Sequence, residues 1–436
     1  MENGKWRMNF QFSTVHLYKG GYGLEKLLNV HREVLDNGLE IIVVKKESQL
    51  MSVNLGIKIG SIYENDGEKG ISHFIEHMIF KGTKKRSNAE LMDDIESLGG
   101  DIDAYTDNNS TVLSVSALHT ELENSLELLS DMVINSEFDK KQIDKERSVI
   151  LSEIKSSYDD IEDFSYRKIN EVAFEGNNLM YDVLGTEESV KNFKRADLIS
   201  YYEKYYSPNN SSIVIVSPYD KNYVVDLVKK YFSLWKRKMI EKSEFNTILN
   251  KPFIKKIDQK DSEQSTILYL YTFKNLSKKE ELALDVLNYK LGDNSNSVLF
   301  KELRENRGLC YEVYSSLTEI DDLKLLYIYT SVNPEDVEEA IEVIEGCVEE
   351  FKKRNISMNE GIFKLIKKVY KTNLATTFET CDNIGDFLLQ YALKDEDIDR
   401  VFEDIKEIDS MSVEEIYDVG EKILNSPSIS IVLGKE

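Results

Sequence analysis

Gly70-Ile71-Ser72-His73-Phe74-Ile75-Glu76-His77-Met78-Ile79-Phe80-Lys81-Gly82-Thr83 holds two imidazoles and a carboxylate within five residues, on a predicted helix opened by Gly70 and closed near Gly82. On an α-helix His73 and His77 stand one turn apart on the same face, with Glu76 beside them. Two neutral imidazoles so placed grip one Zn²⁺, which still needs a third protein ligand and an open position for water. Glu76 is then within reach of that water as a general base. The order His-x-x-Glu-His reverses that of the commoner His-Glu-x-x-His zinc site. Read alone, such a pair could be polar surface or hydrogen-bonded core, because short motifs recur by chance. Yet the chain has only five His, and two of them flank a Glu.

At 436 residues the chain predicts two or more domains, and its 41% hydrophobic content suffices for substantial cores. The formal net charge of −24 argues against nucleic acid, whose phosphates would be repelled. The three Cys (Cys310, Cys347, Cys381) fit no metal or redox spacing and read as buried or inert thiols in a reducing compartment. Residues 1–9 lack the apolar core of a secretion signal, and no apolar run approaches a membrane span. The expectation is a soluble, cytoplasmic chain with no membrane partner.

Around the His helix the pattern predicts a first domain over residues 34–234, after an N-terminal extension, 1–33. Asp36-Asn37-Gly38 is a turn signal, Ile41-Ile42-Val43-Val44 a buried strand, and Ser52 to Ile59 an alternating one. Asn88 is a fair N-cap for a helix ended by Gly99-Gly100, and the strands Ile102 to Tyr105 and Thr111 to Ala117 follow. Helical periodicity then runs from Thr120 to about Phe174. Residues 235–256, rich in Lys, read as a linker and a solvated tether. A second domain, 257–436, repeats the order of strands and helices with little sequence identity. The fold class is α+β: two tandem, topologically related domains, each a mainly antiparallel sheet with helices packed on one face.

Glu146 and Glu153 stand seven residues apart and share one stripe of a helix. By themselves they read as a solvated face; beside His73 and His77, Glu153 becomes a candidate third ligand and Glu146 an outer carboxylate that orients an imidazole. From Val34 onward the chain resembles the pitrilysin/insulinase family of inverzincin zinc peptidases. The likeness is to its bacterial short-chain branch, similar to the mitochondrial processing peptidase. It is carried by His73 to Thr83, by the Glu-Arg-x-Val-Ile-Leu-x-Glu phrase ending at Glu153, and by Leu184-Gly185-Thr186. Two further residues, Arg304 and Tyr311, match the Arg and Tyr with which active members hold the substrate backbone. The family's Asn-Ala-x-Thr is Asp103-Ala104-Tyr105-Thr106 here, an edge strand that pairs with substrate in relatives. An Asp in place of Asn puts the carry-over at Asp103 in question.

What the resemblance implies is a zinc endopeptidase acting on peptides or unfolded segments. His73, His77 and Glu153 would bind one Zn²⁺ per chain, Glu76 would act as the base, and Glu146 would lie in the outer shell. Arg304, Tyr311, Asp103, Ala104 and Thr106 would meet the substrate. Four such domains close around a chamber in the family, so two chains are expected: a homodimer, or else a heterodimer with a metal-free relative. The alternative reading is a non-catalytic partner subunit or peptide-binding scaffold of the same fold.

Overall fold

Asp36-Asn37-Gly38 turns the chain back on itself, with Gly38 N donating to Leu35 O at 2.8 Å. The turn joins β1 (Val30–Val34) to β2 (Glu40–Lys45), paired antiparallel from Val30↔Val44 to Val34↔Glu40. The structure, a computed structural model, describes residues 29–241, 245–258, 261–398 and 400–435. Most of the expected N-terminal extension (residues 1–28) and residues 242–244 of the expected linker therefore lie outside the described residues. Residues 30–33, expected in that extension, belong to the first sheet. Their charged side chains mask the strand pattern, and Arg32 is held by Glu40 of the neighbouring strand at 2.5 Å.

The first half continues through β3 (Leu50–Ile57), α1 (Ile71–Ile79), α2 (Asn88–Ser97), β4 (Asp101–Thr106) and β5 (Thr111–Leu118). After these come α3 (Leu122–Asn135), α4 (Lys140–Asp159), α5 (Ile161–Ala173), α6 (Glu187–Asn192), α7 (Arg195–Tyr205), β6 (Ser211–Ser217) and α8 (Lys221–Phe232). The second half runs β7 (Phe253–Asp258), β8 (Ser265–Phe273), α9 (Lys278–Leu291), a π-helical turn (Phe300–Glu305), β9 (Cys310–Ile320) and β10 (Leu323–Val332). It ends with α10 (Val337–Lys352), α11 (Glu360–Thr377), α12 (Cys381–Leu393), α13 (Arg400–Ser410), α14 (Val413–Ile423) and β11 (Ser428–Leu433). The sheets are ordered β1-β2-β6-β3-β5-β4 and β7-β11-β8-β10-β9. With β1 set aside, the two orders are the same, and in both the outer pair alone is parallel. The chain is thus α+β, a duplicated topology.

Each sheet carries most of its own half's helices on one face. Ile41, Val43, Val53, Leu55, Ile213 and Ile215 join Phe74, Ile150 and Leu198 of α1, α4 and α7 in the first core. The opposite face is covered by the other half. Ile42, Val44, Val214 and Val216 pack against Ile384, Leu388 and Leu389 of α12. Reciprocally, Leu268, Leu270 and Tyr327 of the second sheet pack against Ile169 and Ala173 of α5. This explains why Ile41 to Val44 and Ile213 to Val216 are unbroken apolar runs: strands buried on both faces have no polar side to alternate with.

Two local expectations change. The cap of α2 is Ser87, not Asn88: Glu90 N donates to Ser87 Oγ at 3.4 Å and Ser87 N to Glu90 Oε2 at 2.8 Å, a reciprocal capping box. Asn88 Nδ2 instead donates to Phe80 O at 3.2 Å. The Lys-rich segment is not a free tether along its described length. Lys251 N donates to Ala173 O at 3.0 Å, Asn250 N to Thr272 Oγ1 at 2.8 Å, and β7 begins at Phe253, inside the expected linker. All three Cys are buried and free. No described helix is long and apolar enough to cross a membrane.

Candidate metal centre

Helix α1 starts abruptly at Gly70, whose φ of 87° lies in the left-handed region. A Cβ on Gly70 would lie 2.5 Å from Leu184 O, and one on Gly185 would lie 2.3 Å from Lys69 O. The Leu184-Gly185-Thr186 phrase therefore serves packing: its backbone lies directly on the start of the His helix. Ser189 Oγ, one turn further, donates to Lys69 O at 2.6 Å. The apolar side of α1 (Ile71, Phe74, Ile75, Met78, Ile79) is buried in the first core, so His73, Glu76 and His77 face the other way.

Helix α4 supplies the opposing wall. Its own apolar stripe, Ile143, Ile150 and Ile154, is buried, and Asp139 caps it by accepting from Lys141 N and Gln142 N. That docking turns Glu146 and Glu153 toward α1. Glu153 Oε2 lies 3.6 Å from His77 Nε2 and 4.0 Å from His73 Nε2. Ligand atoms of all three residues fall within 4.8 Å of one another, and this is the one such His/Cys/Asp/Glu group among the described residues. Zinc ligands 2.0–2.2 Å from a tetrahedral ion are about 3.3–3.6 Å apart, so these residues fit a zinc with slight contraction. Glu153 Oε2 is itself buried without a hydrogen-bond partner, as expected of an oxygen reserved for a cation.

The charges around this cluster suit a metal. Burial, and then the neighbouring His77, push His73 down to about 3, which keeps its imidazole neutral and able to coordinate. His77 behaves differently. Burial would lower its pKa, but the hydrogen bond with Glu146 and the charges of Glu153 and Glu76 outweigh it, and the pKa rises. His77 Nδ1 lies 3.1 Å from Glu146 Oε2, and Lys81 Nζ lies 3.0 Å from Glu146 Oε1. Glu146 is buried, yet these two partners outweigh its desolvation and hold its carboxyl below the usual range. Such a carboxylate fixes the ring orientation and leaves Nε2 for the metal. Lys81, one helical turn beyond His77, was not singled out from the sequence, although its i,i+4 spacing was a usable signal.

Glu76 points toward the edge strand β4. Thr106 Oγ1 donates to Glu76 Oε2 at 2.7 Å. Burial raises the Glu76 pKa, and the Thr106 bond works against that rise. Alternation along β4 sets Ile102, Ala104 and Thr106 on the α1 side and Asp101, Asp103 and Tyr105 on the other. Tyr105 on that far side accepts from Gln390 Nε2 of α12 at 2.8 Å. Asp103 thus faces away from Glu76, while Thr106 is held by it.

Arg304 and Tyr311 come together with each other in the second half. The Arg304 guanidinium carbon lies 4.8 Å from the Tyr311 ring centroid and 5.0 Å from that of Phe300. Tyr311 is the second residue of the edge strand β9 and is 76% exposed. Glu64 is a residue that sequence reading passed over: 1% exposed, it accepts from Gly70 N at 2.8 Å and Ser72 N at 2.9 Å. A lone acid in the loop before a helix carries no periodic signal.

A reversed His-x-x-Glu-His helix facing a carboxylate on a second helix, on a duplicated α+β scaffold, defines a class of zinc peptidases. Comparison with known proteins agrees. Residues 41–187 match the family model described as Insulinase (Peptidase family M16), and residues 192–370 match that of the Peptidase M16 inactive domain. An uncharacterized zinc protease of Bacillus subtilis is 31% identical over 76% of this chain and 80% of its own length. Subunit 1 of the bovine mitochondrial cytochrome b-c1 complex is 33% identical over 46% of this chain and 42% of its own length. Among solved structures, a protease from Helicobacter pylori superposes with a TM-score of 0.86 at 20% identity, covering 94% of this chain and 100% of that one. The chain belongs to peptidase family M16, whose members include proteins named zinc proteases.

Proposed function

We propose that this protein is a zinc-dependent endopeptidase that hydrolyses peptides or unfolded segments. The observation that carries the proposal is the convergence of His73 Nε2, His77 Nε2 and Glu153 Oε2, with Glu76 one residue from His77 on the same helix. A zinc ion held by these three residues would supply Lewis acidity to the attacking water and to the scissile carbonyl. Thr106 holds Glu76 by Oε2, which leaves Oε1 to take a proton from that water and deliver it to the leaving amine nitrogen. Glu146 keeps the His77 ring turned so that Nε2 faces Glu153. A substrate strand pairs with the β4 edge along Asp103, Ala104 and Thr106, where backbone groups suffice. Arg304 and Tyr311 donate hydrogen bonds to the substrate backbone from the second half.

In this reading the working unit is a homodimer whose two chains enclose a chamber, with one zinc per chain; a heterodimer with a metal-free relative is the alternative. A non-catalytic subunit is the rival function. The likeness to a cytochrome b-c1 subunit favours it, and the intact His73, Glu76, His77 and Glu153 set weighs against it. The test is mass spectrometry of a mixed peptide pool incubated with the protein, with Glu76→Gln protein, and with a zinc chelator. Cleavage that disappears in both controls supports the peptidase. Zinc binding without cleavage of any peptide, alone or in the dimer, refutes it in favour of the subunit role.

A further inference from the structure

The start of α1 is held by a group outside the metal set. The first N–H groups of a helix have no partner within it, and Gly70 has no side chain to offer. Glu64 replaces the missing cap with both its oxygens, Oε2 accepting from Gly70 N at 2.8 Å and Oε1 from Ser72 N at 2.9 Å. A carboxylate this deeply buried is rare unless paired, and burial pushes Glu64 up to about 7.

The loop that presents it is stitched in place. Lys69, itself 2% exposed, donates from Nζ to Glu64 O at 2.5 Å and to Asn178 Oδ1 at 2.7 Å. Asn178 Nδ2 returns a bond to Glu64 O at 2.9 Å and another to Ile62 O at 2.6 Å. On the far side, Ser72 Oγ meets Tyr201 OH at 3.0 Å.

The next residue after Ser72 is His73. Helix α1 has only nine residues, too few to hold its own geometry in water, where isolated helices below ~12–15 residues are marginal. Side-chain tips lie ~5–6 Å from a helix axis, so a 10° rotation of α1 would move both imidazoles by ~1 Å. Metal sites tolerate only ~0.2 Å in ligand distance. Glu153, on α4, would not follow that rotation.

We propose that Glu64 is a positioning residue of the metal centre: by locking the first turn of α1 it sets where His73 and His77 fall relative to Glu153. This rests on the reading that those three residues bind zinc. Glu64 is nine residues from His73 in sequence and acts through the backbone.

The experiment measures zinc affinity of the full-length chain by competition with a chromophoric chelator, together with amide hydrogen exchange across residues 70–74. The variants are Glu64→Gln, which keeps shape and one acceptor, and Glu64→Ala. Leu388→Ala, on the opposite face of the first sheet, controls for lost stability. The expected result is a zinc Kd raised ~10–100-fold in the Glu64 variants, the range seen for outer partners of metal ligands, with faster exchange at Gly70 and Ser72. The control should lower Tm without moving the zinc Kd. A zinc Kd within twofold of wild type in Glu64→Gln overturns the inference alone. Failure of the wild-type chain to bind zinc removes both the metal reading and the inference.

Discussion

Thr106→Val separates two roles for the edge strand. Valine keeps the volume and the β-branch, and the backbone pairing Thr106↔Thr111 needs no hydroxyl. What is lost is the 2.7 Å bond from Oγ1 to Glu76 Oε2. Hydrogen bonds to charged groups contribute ~1.5–3 kcal/mol, so if Glu76 must be aimed in the transition state, kcat should fall ~10- to 150-fold. The bond also favours the ionised form of Glu76, so its loss should move the acid limb of the pH–rate profile upward. Steady-state kinetics on one peptide from the pool, with zinc content measured in parallel, gives kcat and KM separately. Thr106→Ser should restore most of the rate. A kcat within twofold of wild type would refute the argument. A rise in KM alone would instead make Thr106 a substrate contact, as the family resemblance implies.

Two further predictions test the fold. Leu388 is fully buried on α12 against the first sheet, so Leu388→Ala should cost ~2–5 kcal/mol and lower Tm by several degrees. Amides of β2 and β6 should lose exchange protection although the substitution lies in the second half; loss confined to the second half would refute the reciprocal packing. Desolvation raises Asp285 from 3.8 to about 7, partly offset by Lys324 and Lys278 and reinforced by Glu281 and Asp404. A carboxyl raised on folding stabilises the protein below its unfolded pKa, and that contribution is lost as pH climbs from about 4 toward 7. Asp285→Asn should therefore flatten the fall of Tm across that range, and an unchanged slope would refute the assignment.

Much of the first half was legible because periodicity reports local burial. The His helix, β4 and β5 fall where the pattern put them. The turn at Asp36-Asn37-Gly38 was read correctly, yet β1 before it was not, since its charged residues hide the alternation of an edge strand. β7 was hidden for the same reason: Phe253–Asp258 carries Lys255 and Lys256, and reads as tether until β11 pairs with it. The apolar runs of β2 and β6 did carry the news that both faces are buried. They could not say that a helix from the other half covers the second face, because an amphipathic helix does not name its partner.

At the site, residue spacing along the chain is enough to say which side chains share a face. His73, Glu76 and His77 follow from a 3.6-residue repeat, and Glu146 and Glu153 from a seven-residue one. Joining the two stripes needs a contact across 76 residues of chain, between His77 and Glu153, which no local rule supplies. Spacing does not reveal that α4 docks against α1, that Thr106 reaches Glu76, or that Glu64 closes the first turn of the His helix; those follow from the packed fold. The first two join elements distant in the chain, through the burial of apolar faces that point the polar groups at one another; the third spans only six and eight residues, but the loop that presents Glu64 is pinned by Asn178 from far along the chain.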